Sequence, residues 1–364
     1  MVWRCQAIPA VPVMLLPSRC PRIAYFVSSH GFGHAARTRT ILETLQKRAA
    51  VTVFSTTPHW FWGNIAVDHV SYQADIGCIQ QGTLNIDELA TRLAFRLFET
   101  GFQRRFEQLC LLHKEDPFDL IVTDIAPEPL RFAADLGLPS VLVANFTWVE
   151  IYRGMSSFEP DIPNLLQQYK LSTTTLIPGF QTGMDWVTNP VVVDAVAKHG
   201  QDIRKQLDPG SRYQRLIYID AGRWGTDIGW HNAIGFGDTL FIRIGPAIAE
   251  LPSNVLQLDF GVVNHSDLVR SVDVVVAKPG YGIVTECLAN GTHWCCIPRD
   301  GFAEDDVLIR FSEELGNFSK ADRRQLTSLD FSSVSINEAA SNIASDGASQ
   351  ISNLLSKEIA TLKL

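Results

Sequence analysis

The stretch VDVVVAKPGYGIVTECLANG, residues 272–291, decides how the second half of this chain is read. It opens on a short apolar, mostly β-branched run, the usage of a strand buried on both faces. A Lys-Pro-Gly-Tyr-Gly turn follows, and the pattern then becomes helical, with a helix expected from about Ile283. Strand, glycine turn and helix in that order leave free N–H groups at the helix start, where an anion such as phosphate is held. Gly280 and Gly282 allow close backbone approach, and Lys278 adds a positive charge at the strand tip. Glu286 stands one turn into the helix, in reach of ribose hydroxyls. A plain tight turn with solvated Lys278 and Glu286 explains the same spacing, because a single glycine-rich turn is a weak signal.

The same alternation runs outward from this stretch. Strands are expected at 23–28, 51–55, 119–123 and 140–144, with helices at 38–47, within 84–110, and at 128–136. A turn cluster at 208–211 precedes further strands at 216–220, 239–244 and 294–297. Such alternation predicts an α/β protein with parallel sheets, and 364 residues are too many for one core. We therefore expect two Rossmann-like αβα domains and an interdomain cleft, with ligands beyond the carboxyl ends of the strands. The expected boundaries are an extension at 1–21, a first domain at 22–200, a second at 211–345, and a C-terminal helix at 346–364. The segment 159–178, rich in Pro, Gln and Thr, is expected to be irregular and to line the cleft.

The net charge of −8 and the lack of a long basic block argue against nucleic acid as a partner. Seven cysteines without a C-x-x-C pair read as reduced thiols in a cytoplasmic protein. No apolar run reaches the roughly 20 residues needed to cross a bilayer, so stable membrane insertion is not expected. Residues 1–20 are semi-apolar, but Pro9, Pro12 and Pro17 interrupt them and no small-residue cleavage site stands out. They read as a loose extension, as an over-long start ahead of Met14, or as a signal peptide. No His/Asp/Glu spacing suggests a metal site.

The stretch from Phe260 to Asp306 resembles the donor-binding segment of GT-B glycosyltransferases, most closely over Lys278–Glu286. Plant UDP-glycosyltransferases carry His-Cys-Gly-Trp-Asn-Ser-x-x-Glu there, with Gly280, Tyr281 and Glu286 in register. The resemblance implies donor contacts from Lys278, Gly280, Tyr281, Gly282, Thr285 and Glu286, with the diphosphate on Lys278 and the glycines and the ribose on Glu286. It also implies a base-stacking role for Phe260, eighteen residues before Lys278. Val263 stands where the family has a ribose-contacting glutamine. Glu304 and Asp305 fall near the family's Asp-Gln pair that holds the donor sugar. Lysine in place of histidine, and Gly282 in place of asparagine, leave the nucleobase and the sugar open. Arg223 follows the first strand of the second domain, where an arginine suits a pyrophosphate, although a surface arginine reads equally well.

A second resemblance spans roughly residues 22–320. The N-terminal glycosyltransferase-like domains of plant L-arabinokinases and their bacterial relatives show a G-H-G-F-G-H-A-x-R start, a D-x-G-x-x-Q element, an Asn-Phe-Ser/Thr-Trp segment and a K-x-G-Y-G-x-V-S/T-E turn. Here these are His30–Arg37, Asp75–Gln80, Asn145–Trp148 and Lys278–Glu286. The chain ends at Leu364, so no kinase domain is expected. GT-B enzymes place a general base at the first strand–helix corner, which implies that role for His34, with Asp124 orienting it. Histidine suits the task because its unperturbed pKa lies near neutrality. The plain alternative for His34 is a helix N-terminal residue packed in the interface. The acceptor side would be lined by His30, Gly33, Asn145 and Trp148. Asp75 and Gln80 read as cleft residues or as a polar loop, and Trp186, Trp224 and Trp230 as sugar stackers or core residues.

The resemblance thus implies transfer of a sugar from a nucleotide-diphosphate sugar, a UDP-sugar foremost, to a small-molecule acceptor. The transfer would be metal-independent and inverting, with no cofactor beyond the co-substrate. A nucleotide-sugar epimerase or hydrolase, or a non-catalytic nucleotide-sugar-binding protein, are the alternatives. A homodimer is allowed.

Overall fold

The computed structural model describes residues 20–81, 85–220, 228–299, 301–334 and 343–361. The extension before residue 20 lies outside them. The first domain begins with β1 (Arg22–Val27), α1 (Gly33–Leu45), β2 (Ala50–Ser55) and β3 (Asp68–Ser71). A small hairpin, β4 (Gln80–Gln81) and β5 (Asn85–Ile86), leads to α2 (Glu88–Thr100) and α3 (Phe102–Glu115). Then come β6 (Leu120–Asp124), α4 (Glu128–Leu136), β7 (Ser140–Val143), α5 (Trp148–Tyr152), α6 (Ile162–Tyr169), β8 (Thr174–Pro178) and β9 (Val191–Val193).

The second domain runs α7 (Arg204–Leu207), β10 (Arg215–Asp220), β11 (Thr239–Ile244), β12 (Val255–Leu258), α8 (His265–Ser271) and β13 (Val274–Ala277). It continues with α9 (Tyr281–Asn290), β14 (His293–Cys296), α10 (Ala303–Leu315), β15 (Phe318–Lys320), α11 (Arg323–Ser328) and α12 (Gly347–Thr361).

The main strands form two parallel sheets, of seven strands in the order β3-β2-β1-β6-β7-β8-β9 and of six in the order β12-β11-β10-β13-β14-β15. The expected α/β architecture of two αβα units is present. Each sheet is wound outward twice from its middle, so its order reverses between β1 and β6 in one and between β10 and β13 in the other. In open α/β sheets a crevice opens at that reversal, outside the carboxyl ends. The strands read as continuous apolar runs because helices cover both faces: Ile23 to Val27 are all fully buried.

Some expectations need correction. The segment 159–178 is not irregular: it forms α6 and β8, and Leu165, Tyr169 and Ile177 pack into the first domain's core. The proline-rich, threonine-rich composition concealed them because Pro163 sits in the first turn of α6 and Pro178 at the end of β8, both tolerated positions. The helix after Lys278 begins at Tyr281 rather than Ile283. The single helical stretch read at 84–110 is two helices divided at Gly101.

The last helix, α12, returns to the first domain. Its Ile351, Leu355 and Ile359 join the core formed by β1, α1 and β2. Burying side chains of that size contributes roughly 1.5–3 kcal/mol each. Gly347 begins this return where no side chain fits, since a Cβ there would lie 2.1 Å from the Asp194 carbonyl oxygen. The C-terminus thereby braces α1, the helix that carries His34.

Candidate active site

The buried face of α1 runs His34, Arg37, Thr38, Ile41, Leu42 and Leu45, at helical spacing. Its C-terminal part is apolar and meets the core. Its N-terminal part is polar and meets the tip of β6, where Asp124 is fully buried. Strand register puts Asp124 beside Val27, the last residue of β1. Ile125, next in the chain, has φ +55°, a strained conformation for a β-branched residue. The Tyr169 hydroxyl donates to its carbonyl (2.6 Å) and the Thr123 hydroxyl to that of Ala126 (2.8 Å), which fixes the turn that aims Asp124.

His34 Nδ1 lies 2.8 Å from Asp124 Oδ1. Arg37 donates to the same carboxylate through Nε (2.9 Å to Oδ2) and Nη2 (2.6 Å to Oδ1), and Thr38 Oγ1 adds a longer contact of 3.3 Å. Burial alone pushes the Asp124 carboxyl upward and is the largest influence. Arg37, then His34, outweigh it and hold the pKa at about 2. With Nδ1 facing a permanent carboxylate, the neutral ring carries its proton there and leaves the Nε2 lone pair for a ligand. The remaining guanidinium nitrogen, Arg37 Nη1, donates to Asn145 Oδ1 (2.6 Å), and Asn145 Nδ2 donates to Glu304 Oε1 of the second domain (2.7 Å). A continuous chain of buried groups thus runs from His34 across the domain boundary. Glu304 at its end is raised above the usual carboxylate range, chiefly by burial, against the pull of Asn145 and Arg299.

His30 is bound the other way round. Its Nδ1 accepts the Cys78 backbone N–H (3.2 Å), which puts the proton on Nε2. Burial first, then His34, Lys278 and Arg299, hold its pKa well below the usual value, so the ring is a neutral hydrogen-bond donor. It packs edge-on to Trp148 (5.3 Å) and parallel to Phe302 of the second domain (6.0 Å). The D-x-G-x-x-Q element explains this placement. Asp75 accepts the Ser29 backbone N–H and the Trp148 indole N–H, both at 2.8 Å. Gly77 has φ +60°, and a Cβ there would stand 2.6 Å from the His30 ring. Gly33 opens α1 with nothing within 4 Å of where a Cβ would be.

On the second domain, β13 ends at Ala277 and presents Lys278 at the sheet's reversal point. Burial first, then Arg299, pull the Lys278 ammonium down to about 8. Helix α9 begins beside it, with Gly280 at its N-cap and no side-chain cap on its first N–H groups. The space above both glycines is open: a Cβ at Gly282 meets nothing within 4 Å, and one at Gly280 meets only Ile283 at 3.9 Å. Glu286 Oε2 lies 2.5 Å from His265 Nδ1. Burial lowers His265, but Glu286 outweighs it and raises the pKa, which favours the imidazolium beside that carboxylate.

Several residues expected at the ligand also hold contacts within the protein. Tyr281 is buried between the domains, its hydroxyl accepting the Val196 N–H (2.8 Å) and the Arg37 guanidinium lying 4.9 Å over its ring. The Thr285 hydroxyl is fully buried and bonds back to the Tyr281 carbonyl (2.9 Å). Asp305 is paired with the buried Arg299 through both carboxylate oxygens. Val263 packs against the second core. Asn145 and Trp148 are buried, Asn145 bonded to Arg37 and Glu304 and the Trp148 indole to Asp75. Trp186 donates to Glu150 and Trp230 lies under Arg243. Phe260 is exposed at the cleft mouth. Arg223 and Trp224 lie outside the described residues.

Sequence reasoning missed Arg37, His265, Arg299 and Trp60. Only Arg37 left a signal: a charge three residues after His34, on the face that becomes apolar at Ile41. Among the described residues no group of three or more His, Cys, Asp or Glu side chains is placed to hold a metal, and no helix is long and apolar enough to cross a membrane.

No family model matches the chain. It is 26% identical over 314 residues to L-arabinokinase from Arabidopsis thaliana, a match covering 80% of this chain but only 29% of that protein. Among solved structures, the glycotransferase of kitacinnamycin superposes with TM-score 0.61 at 16% identity, over 95% of this chain and 94% of that one. Arabidopsis thaliana UGT89C1 gives 0.64 at 13% identity, over 95% and 100%. Phytolacca americana UGT2, complexed with UDP-2fluoro-glucose and pterostilbene, gives 0.58 at 13%, over 94% of each. The chain therefore has the GT-B fold that these glycosyltransferases share, and it resembles in sequence less than a third of L-arabinokinase.

Proposed function

We propose that the protein is a glycosyltransferase that moves a sugar from a nucleotide-diphosphate sugar to the hydroxyl of a small-molecule acceptor. The observation that carries this reading is the His34–Asp124 contact of 2.8 Å at the reversal point of one sheet, joined through Arg37 and Asn145 to Glu304 beside the open α9 terminus of the other. His34 Nε2 takes the acceptor hydroxyl proton as that oxygen bonds to the anomeric carbon. The bond from that carbon to the phosphate oxygen breaks, and its electron pair stays on the diphosphate. Lys278 and the free N–H groups of α9 meet the charge there, without a metal ion. Attack from the face opposite the leaving group inverts the anomeric centre. UDP-sugars are the first donors to try, since UGT2 was solved with one. The described cysteines are all free thiols, which supports a reducing compartment such as the cytoplasm.

The test is a screen of nucleotide sugars with phenolic, sugar and polyol acceptors, read as acceptor-dependent release of nucleoside diphosphate. Release that needs no acceptor would point instead to a hydrolase. Glu304, a buried carboxyl raised toward its protonated form and opposite His34, is the group such an enzyme would use.

Two expected results check the donor side. Lys278→Ala and Glu286→Ala should each weaken nucleoside diphosphate binding by about 1.5–3 kcal/mol, the usual loss for a charge-assisted contact. Unchanged affinity in both, by calorimetry, removes this site. Because Lys278 titrates at about 8, wild-type affinity should fall as pH rises through that value. A bound diphosphate favours the charged ammonium, so binding near that pH takes up a proton. Lys278→Arg, charged throughout, should flatten the dependence. Wild-type binding with no proton uptake in buffers of different ionisation enthalpy would take Lys278 off the diphosphate.

A further inference from the structure

The chain His59-Trp60-Phe61-Trp62 forms a single turn after β2. Trp62 is buried in the first core, and Phe61 stacks on Phe32 at 5.4 Å with the Arg39 guanidinium over it. The turn is thus anchored through Phe61 and Trp62, yet Trp60, just before them, is 58% exposed. Phe260, in the turn after β12 of the other domain, is also 58% exposed. The two rings meet across the domain boundary, centroids 6.5 Å apart and planes tilted by 38°. Two large, half-exposed aromatic rings that meet across a domain boundary are what a planar ligand stacks between.

We propose that Trp60 and Phe260 form a two-sided slot for a planar ring, and that the ring is the nucleobase of the donor nucleotide. This rests on the donor-site reading above. A ring sandwiched between two others needs about 7 Å between the outer faces, two contacts of roughly 3.5 Å. The centroids stand 6.5 Å apart with the planes tilted, so levelling the tilt and a small parting of the domains complete the slot. The strand order supports the base over an acceptor ring. Phe260 follows β12, the His265–Glu286 pair lies beside Tyr218 of β10, and Lys278 follows β13. Those strand ends span three strand spacings, roughly 14 Å, in the order base, ribose, diphosphate. Trp60 then supplies from the first domain the second face of a base that Phe260 contacts from the second, so nucleotide binding itself bridges the two domains.

The experiment compares a panel of nucleoside diphosphates with inorganic pyrophosphate, which has no ring, on wild type, Trp60→Leu, Trp60→Phe and Lys278→Ala. The expected result is that Trp60→Leu weakens the preferred nucleotide about tenfold or more and leaves pyrophosphate unchanged. Trp60→Phe should keep most of the affinity, and Lys278→Ala should weaken both ligands. Trp60 is exposed, so thermal unfolding of the leucine variant should match wild type. Unchanged nucleotide affinity in Trp60→Leu, with a loss in Lys278→Ala, overturns the slot and leaves the donor site standing. A loss confined to an aromatic acceptor would assign the ring to the acceptor and overturn the proposal. A wild-type protein that binds none of the nucleotides overturns the slot and the donor site together.

Discussion

Replacing His34 by alanine should lower single-turnover sugar transfer by about 10²–10⁴-fold, the usual contribution of a positioned general base, with little change in donor affinity. The geometry assigns the loss to Nε2, because Nδ1 is occupied by Asp124 at 2.8 Å. Asp124→Asn should also cut turnover: an amide can no longer offset the imidazolium that forms when His34 takes the proton. The two losses should be strongly non-additive, since the pair acts as one unit. The Asp124 carboxyl is held at about 2, so no pH in the working range of an enzyme protonates it. His30→Ala should do less and should act on acceptor affinity, because its Nδ1 already accepts the Cys78 N–H and leaves the ring only an N–H to offer. A near-wild-type rate for His34→Ala would sink the base assignment. A larger loss for His30→Ala than for His34→Ala would exchange the two roles.

This pair was legible in the sequence because strand-to-helix corners leave a strong local mark. The apolar run before Ser28 and the glycines around His30 announce a loop at a sheet edge, and Asp124 ends an unmistakable buried strand. The family resemblance then supplied the roles. What stayed hidden depends on contacts distant in sequence. Tyr281 looks like a ligand contact in the linear motif, yet its hydroxyl holds Val196 and its ring lies under Arg37. Nothing local distinguishes a tyrosine that faces a nucleotide from one that faces the other domain. Asp305 likewise reads as one of three adjacent acidic residues until Arg299 folds against it. β8 and β9 carry prolines at or beside their ends and lie at the margin of the first sheet, where weak β patterning suffices because neighbours supply the register.

Arg37 is where the site and the fold depend on each other, and its removal should be the most damaging single change to stability. Its side chain is almost fully buried and spends its donors on Asp124 and Asn145 while lying over Tyr281. Arg37→Met keeps much of the volume but leaves Asp124 buried with its main counter-charge gone. Breaking a buried pair in this way typically costs about 3–5 kcal/mol. Equilibrium denaturation should show that loss, read on the transition of the first domain. Arg37→Lys should rescue only part, because an ammonium cannot reproduce the two parallel bonds to one carboxylate. Adding Asp124→Asn to Arg37→Met should recover stability, since the stranded charge is then removed as well; packing loss alone predicts no recovery. Acid sensitivity offers an independent check. A carboxyl lowered to about 2 in the folded state contributes stability that is present above its ordinary pKa of roughly 4 and is lost as pH falls toward 2. Wild type should therefore lose stability over that window, and Arg37→Met should lose less of it. Wild-type stability in Arg37→Met, or an unaltered acid profile, would mean that Asp124 does not depend on this guanidinium. His34 would then owe its orientation to the strand tip alone.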